Sequence, residues 1–531
     1  MSTEFTNKKL IFILFYFSVT ILTISFYNLS NLKSLKFNWD ETDYVNASIK
    51  GFYENYTDNE SLSIKQFIYI GKEKYFNRDL ESNIIKNFVN EENDNYHLRH
   101  YHPPLPVYYW SFFISEKDSI NEINKKLRYS LMILYLFFIF SMLLAIYNTL
   151  QINYSRIFLT LVIICAFVTN KVVINGFINL QFHIFYALAL TYHLYSLINM
   201  YMKKNSIFNS CNFIFSTSLL IITLHTSLIS IFATLISIIY LNRISEKKIT
   251  IISIIKYLFL SLLLTVILFP PMITKLYYGK IFLTYVYKLV LLKGNEFSMY
   301  GSLLDKWYNF FYNNNYIFIL PLICIFLSII NYKKENRYLN IFIIHGVCYS
   351  IFISPFFVSF NYILPALTCI LFFTISYVSL SHNLETKIQK LIVSTISLLV
   401  VIINLNLLKI DEYKNMVADY NKGLESLIGL IDKNNEKKYL IDGSHIFKMY
   451  TNNNNIDELS ILSRTKSDFA IRENFKYISA ESKIKKGNYN YIVIQKNRKF
   501  SNERISFLNI NNYFKIEDEY YDIYQLTNKK N

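Results

Sequence analysis

Apolar residues in this chain gather in long runs separated by short polar stretches. They do not alternate with polar positions at the helical or strand period expected of a soluble domain. Each run is close to the roughly 20 residues needed to cross a hydrocarbon core of about 30 Å. The pattern predicts helical spans at 10–28, 127–149, 156–176, 181–202, 208–224, 226–242, 249–272, 315–331, 338–355, 359–380 and 388–409, about eleven transmembrane helices in all. Only His225-Thr226-Ser227 divides the pair between 208 and 242.

Beyond residue 410 the pattern changes. Short β-like runs appear at Lys438-Tyr439-Leu440-Ile441, Tyr491-Ile492-Val493-Ile494 and Tyr521-Asp522-Ile523-Tyr524. A helical stretch at 412–432 precedes them, so a small soluble α/β domain is expected there. The fold class that follows is a polytopic α-helical membrane protein with a large first outer loop. Residues 1–409 form the membrane part, including the loop 29–126, and residues 410–531 form the C-terminal α/β domain.

Composition agrees with that picture. Of the 531 residues, 53% are hydrophobic and only 17% charged, against about 25% charged in ordinary soluble domains. Lys8 and Lys9 before the first run also fit a signal peptide. No small-x-small cleavage pattern follows, and a retained first helix is the simpler expectation. The net charge of +16 invites a nucleic-acid reading, but many of the basic residues fall in short loops between apolar runs. With the N-terminus inside, the inner loops hold Lys203-Lys204, Arg243 with Lys247-Lys248, Lys333-Lys334 with Arg337, and Lys387, as the positive-inside rule expects. Nucleic acid is therefore not an expected partner; membrane lipids are. Three larger segments fall outside: 29–126, 273–314 and the stretch from about 410 onward. Trp39 and Trp110 stand where the chain leaves or approaches the membrane, the place of interfacial aromatics. Cys165, Cys211, Cys324, Cys348 and Cys369 lie in or beside predicted spans and form neither a disulfide framework nor a CxxC pattern. They read as small packing residues.

The candidate chemistry lies in the first outer loop. Just past the first span the chain reads Asn38-Trp39-Asp40-Glu41-Thr42-Asp43-Tyr44. A helix cap explains such carboxylates, with Asp40 as the cap and Glu41 and Asp43 in a first turn favoured by the helix dipole. The same loop later carries His97-Leu98-Arg99-His100-Tyr101-His102-Pro103-Pro104-Leu105-Pro106. That stretch holds three of the chain's eight prolines and three of its nine histidines. Adjacent prolines bar a regular helix through that point and make a rigid corner. His100 and His102 at the corner, with a carboxylate, can ligate a divalent metal or grip a phosphate. Hydrogen-bonded surface histidines are the other account. Gln181, His183, His193, His225 and His345 read as satisfied polar groups of the membrane part, and Lys171 as a snorkelling lysine.

Taken together, Asp40-Glu41 with Tyr44 and His102-Pro103-Pro104-Leu105 resemble the GT-C superfamily of glycosyltransferases that use lipid-phosphate sugars. The nearest branch is that of the protein O-mannosyltransferases and the lipid A aminoarabinose transferases. Members begin with one span and an outer loop opening on an Asp-Glu pair followed by an aromatic, and carry a later Pro-Pro-Leu segment. Arg128 stands where they place an arginine entering the second span. Asn361-Tyr362-Ile363-Leu364-Pro365 is similar to their late Arg-Tyr-x-x-Pro signature, with Asn361 in place of the arginine that contacts phosphate. The likeness covers the membrane region to about residue 410.

The resemblance implies an inverting single displacement on the non-cytoplasmic face of the cell or inner membrane. The donor is a sugar on a polyprenyl phosphate, and the acceptor hydroxyl or amine belongs to a lipid, a glycan or a protein. Asp40 is then the general base, worth about 10²–10⁴-fold. Glu41 is a second catalytic-site residue that orients the site or binds metal. Tyr44, Arg99, His102, Arg128 and Tyr362 are the candidate substrate- and phosphate-binding residues. A cation, whether His102, Arg99 or a divalent metal ion held by His100 and His102, would balance charge on the leaving phosphate. A transporter or flippase of lipid-linked glycans is the chief rival, but the spans hold almost no charge and no repeat. An O-antigen ligase or polymerase, with its main outer loop late in the chain, is the other, and a sensor that binds through its terminal domain is a third.

Overall fold

The computed structural model describes residues 34–37, 41–42, 44–45, 47–49, 104–149, 163–166, 173–174, 178–202, 207–224, 226–274, 303–330, 334–354, 360–379, 387–408, 410–441, 447, 449–451, 453, 455–461, 469–473, 476–479, 489–496 and 512–527. Among these, helix predominates up to residue 433, and all the strands follow it.

Two short polar signals set where the first described helices begin. Helix α1, Leu105–Ser111, starts directly after the double proline, with Pro106 in its first turn. Proline is tolerated there because the first N–H groups of a helix need no intrahelical partner. The expected corner is thus also a helix start. Helix α2, Ile120–Thr149, begins seven residues before the apolar run at 127. The cause is a reciprocal cap: the Ser119 amide and hydroxyl both donate to Glu122 Oε2 at 2.9 Å, and the Glu122 amide points back to Ser119 Oγ at 3.4 Å.

The bundle continues through α3 (Phe182–Met202), α4 (Ile207–Ile221), α5 (Ser227–Ile244), α6 (Ile251–Leu268), α7 (Leu303–Ile330), α8 (Asn340–Ile353), α9 (Leu364–Ser379) and α10 (Lys387–Leu408). Helices α5 and α6 are long and apolar enough to cross a membrane, and shorter apolar helices fall in other expected spans. The expected span 10–28 and most of 156–176 lie outside the described residues.

Helices α5 and α6 bury many small and hydroxylated side chains and turn large apolar ones outward. Helix α5 buries Ser227, Ser230, Ala233, Thr234 and Ser237, while Leu228, Phe232, Leu235 and Ile239 are exposed. Helix α6 buries only Ser261 and Thr265, and Ile252, Ile255, Phe259 and Ile267 face outward. Small and hydroxylated side chains let helices approach closely where apolar burial gives no advantage. Gly346 of α8 shows the consequence: a Cβ there would stand 3.4 Å from the Cβ of Cys369 on α9. Several polar groups pair across helices, whereas Ser227, Ser237 and the expected satisfied group His345 are buried with no hydrogen-bond partner for the side chain among the described residues. Tyr186 bonds Ser230, Ser218 Oγ donates to the Ser261 carbonyl at 2.8 Å, and His193 lies between Thr234 (2.8 Å) and Thr217 (3.2 Å).

Contacts at the helix ends sort the loops into two groups. At one end Lys247 bonds the Met200 carbonyl, Tyr240 donates to the Arg337 carbonyl at 3.2 Å, and Tyr338 bonds Ser245 at 3.2 Å. The end of α3, the basic loop after α5 and the turn before α8 therefore meet. At the other end the Leu105 amide donates to the Ile222 carbonyl at 3.1 Å and Tyr108 to the Leu268 carbonyl at 2.8 Å.

Helix α11, Ile410–Lys433, leads into a seven-stranded sheet of order β4-β3-β2-β1-β5-β7-β6. The strands are β1 (Tyr439–Ile441), β2 (Ile456–Ile461), β3 (Phe469–Glu473), β4 (Lys476–Ser479), β5 (Tyr491–Gln495), β6 (Tyr513–Ile516) and β7 (Tyr521–Leu526). Central β1 pairs parallel with β2 and β5, and the outer pairs are antiparallel. One stripe of α11, formed by Leu424, Leu427 and Ile431, packs on Tyr439, Ile441, Tyr491, Val493 and Ile523. Gly423 makes this close fit possible, because a Cβ there would lie 2.8 Å from the Tyr520 ring. Gly423→Leu is expected to cost about 1–3 kcal/mol through overpacking, read as faster amide exchange across Leu424–Ile431.

Candidate functional site

Glu41 and Arg128 are 87 residues apart in sequence and form a fully buried ion pair in the structure. Arg128 Nη1 donates to Glu41 Oε1 at 2.6 Å and Nη2 to Oε2 at 2.8 Å, a fork-to-fork contact. Arg128 reaches this place because α2 begins early enough to carry it on an interior face. Its remaining donors go to backbone carbonyls: Nε to Leu35 (3.1 Å), Nη1 to Ile178 (2.7 Å) and Nη2 to Lys36 (3.3 Å). A guanidinium has five N–H donors, and all five have protein acceptors. The Glu41 Oε1 atom also accepts from the Leu180 amide at 2.8 Å.

This geometry bears on two expected site residues. Arg128, expected at the donor phosphate, has no N–H left for one, and instead ties the segment before Glu41 to the residues before α3. Glu41 is engaged through both carboxylate oxygens, which fits the orienting role expected of it. Asp40 lies outside the described residues. Its neighbour Glu41 lies in a helical stretch, with residues 41–42, 44–45 and 47–49 helical.

Tyr44 is buried among aromatic rings. It stacks on Trp110 (centroids 5.7 Å apart, planes at 28°) and meets Phe182 edge-on at 4.6 Å. Trp110 in turn packs on Phe182 and Phe185. Trp110 is therefore a core residue of α1 and not the interfacial anchor expected from its position. Tyr44 contributes packing that fixes the Glu41 helix against α1 and α3. Tyr362 lies against His183 with ring centroids 4.6 Å apart, two residues beyond the Gln181 that separates Leu180 from α3. The structure thus gathers Glu41, Tyr44, Arg128 and Tyr362 at one end of the bundle. Arg99, His100 and His102 lie outside the described residues. Among the described residues no three His, Cys, Asp or Glu side chains converge on a metal position.

Several contributors carry no sequence signal of their own. The Leu180 amide and the Leu35, Lys36 and Ile178 carbonyls are backbone groups that any residue supplies. Tyr420 and Tyr450, from the C-terminal part, are the others. Tyr420 Oη donates to the Phe37 carbonyl at 2.7 Å, and Tyr450 Oη accepts from the Phe37 amide at 3.0 Å. Burial pushes both phenols above their ordinary range. The Glu41 charge adds to the rise and the Arg128 charge opposes it, so both hydroxyls keep their protons at any working pH.

No protein-family model matches this chain, and none of the curated proteins is significantly similar to it.

Proposed function

We propose that this chain is a polytopic membrane glycosyltransferase of the GT-C type. It moves a sugar from a polyprenyl phosphate to an acceptor hydroxyl or amine on the non-cytoplasmic face. The observation that carries the reading is the Glu41–Arg128 pair. A buried, fully satisfied ion pair is a poor source of net stability, yet here it anchors the residues on either side of Asp40 at one end of the bundle. The basic stretches holding Lys247 and Arg337 lie at the opposite end, as expected if that end is cytoplasmic. Outward apolar faces and inward Ser and Thr support embedding in lipid, with about eleven spans and an inside N-terminus.

In this mechanism Asp40 takes the acceptor proton as its oxygen or nitrogen attacks the anomeric carbon. The bond to the lipid phosphate breaks on the opposite face, and configuration inverts. Arg99 and His102 are the candidate cations for the departing phosphate. Glu41 and Arg128 hold the base in place and do not touch substrate. A divalent metal would rest on His100 and His102 with a carboxylate of the loop, and no step here runs through one.

The test is transfer by the purified chain in lipid nanodiscs from a radiolabelled polyprenyl-phosphate sugar to a lipid, glycan or peptide acceptor. Labelled product with inverted anomeric configuration is expected. Absence of product across donor sugars and acceptor classes overturns the reading, as does retained configuration. Transfer is expected to survive strong chelation; loss that Mn²⁺ or Mg²⁺ restores would assign a metal to the histidine corner.

A further inference from the structure

Four residues, Ser34–Phe37, lead into the acidic site, and side chains hold their backbone from two directions. Arg128 takes the Leu35 and Lys36 carbonyls. The C-terminal part takes the rest. Asn421 Nδ2 donates to the Ser34 carbonyl at 2.9 Å, and Asn421 Oδ1 accepts from the Lys36 amide at 3.2 Å. Tyr420 and Tyr450 hold the Phe37 carbonyl and amide. Six backbone groups of four residues are thus satisfied by side chains, where a helix or sheet would ordinarily do so. Around them Lys36 Nζ pairs with Glu425 at 2.9 Å and lies 5.5 Å from the centre of the Tyr450 ring. Val417 and Tyr420 of α11 pack with Leu35, Ile174 and Ile178.

We propose that the C-terminal helix-and-sheet unit is a positioning element of the acidic site, acting through Tyr420, Asn421 and Tyr450 on Ser34–Phe37. As a statement about catalysis this rests on the reading above. Its physical content, that the unit fixes the segment entering the Glu41 helix, stands apart from it. Phe37 is four residues before Glu41, whose carboxylate is held by the same Arg128 that takes the Leu35 and Lys36 carbonyls, so the clamp and the ion pair act on one short stretch of chain. A misplacement of about 1 Å is enough to cost roughly 10²-fold in rate. Tyr420 and Tyr450 grip opposite sides of the same residue, its carbonyl and its amide, which fixes orientation as well as position.

The test uses the full chain with Tyr420→Phe, Tyr450→Phe and the pair, which keep the rings and remove only the hydroxyls. Tyr513→Phe is the control, because its hydroxyl donates to the Tyr489 carbonyl at 2.9 Å within the sheet and does not touch the segment. Three readouts are compared: tryptic cleavage after Lys36, amide exchange over Glu41–Val45, and transfer rate. Each clamp variant is expected to raise cleavage and exchange by about fivefold, the effect of losing one ordinary hydrogen bond, because cleavage follows the open population. Transfer is expected to fall in kcat with KM unchanged, and Tyr513→Phe to alter none of the three. Unchanged cleavage and exchange in the paired variant overturns the proposal whatever the transfer rate. Raised cleavage with unchanged exchange at Glu41–Val45, or with unchanged transfer in an active protein, also overturns it. If the unaltered chain transfers no sugar, the glycosyltransferase reading fails, while cleavage and exchange still decide whether the unit positions the segment.

Discussion

Asp40→Asn is expected to lower sugar transfer by about 10²–10⁴-fold, the ordinary worth of a positioned general base, with expression, insertion and thermal stability unchanged. The substitution separates the two roles open to this carboxylate. Asparagine caps a helix about as well as aspartate, so a capping residue would lose nothing in stability or in rate. Asparagine has no basic oxygen able to take a proton near neutral pH, so a base loses nearly everything. Asp40→Ala complements it: a capping role predicts a loss of about 1 kcal/mol in stability, and a base role predicts no further fall in rate. Initial rates are measured in nanodiscs at saturating donor, beside an unfolding curve for each variant. Wild-type rates in Asp40→Asn would remove Asp40 from the chemistry and leave it as the cap of the Glu41 helix.

What the sequence made legible depended on whether the signal was local. Apolar runs located helices such as α3, α5 and α6 within a few residues, because a long apolar helix is a property of composition over one stretch. Strands β1, β5 and β7 lie on the three runs rich in Tyr, Ile and Val, where branched and aromatic side chains suit a buried pleat. The early start of α2 at Ile120 escaped a reading led by hydropathy, since its cause, Ser119 with Glu122, is polar and lies outside the apolar run. The role of Trp110 escaped for a different reason. A tryptophan beside a membrane span suits either an interface or a core, and only the packing of Tyr44, Phe182 and Phe185 around it decides.

The site shows the same division more sharply. Asp40-Glu41, Tyr44, Arg128 and the Asn361–Pro365 stretch are recognisable because residue type and order are local. That Glu41 and Arg128 neutralise one another is a tertiary fact across 87 residues, and single-sequence reasoning treats each as an independent candidate. The clamp on Phe37 is more remote still, with 383 and 413 residues between the partners. Tyrosine is among the commonest residues of this chain, with 45 copies, so nothing marks Tyr420 or Tyr450 until the fold brings them to the segment.

Breaking the Glu41–Arg128 pair is expected to have the largest effect on stability. Arg128→Met leaves a buried carboxylate without its counter-ion, and removing one partner of a buried pair typically costs about 3–5 kcal/mol. Glu41→Gln keeps the shape but leaves the guanidinium charge without its counter-ion, and a loss in the same range is expected. The double variant Glu41→Gln with Arg128→Met carries neither charge. It is expected to be more stable than the sum of the single losses predicts, with a coupling of about 1–3 kcal/mol. Arg128→Lys is expected to fall near Arg128→Met, because an ammonium offers three donors on one atom and cannot reach acceptors on opposite sides of a planar fork. A phosphate contact predicts otherwise. An arginine held for substrate would lower transfer in Arg128→Met with little change in unfolding, would be rescued in part by lysine, and would show no coupling to Glu41. Unfolding midpoints of the four variants with transfer rates on the same preparations distinguish the two. Full coupling in stability, with activity falling only as far as the folded fraction and the placement of Asp40 require, is the outcome expected of a strut.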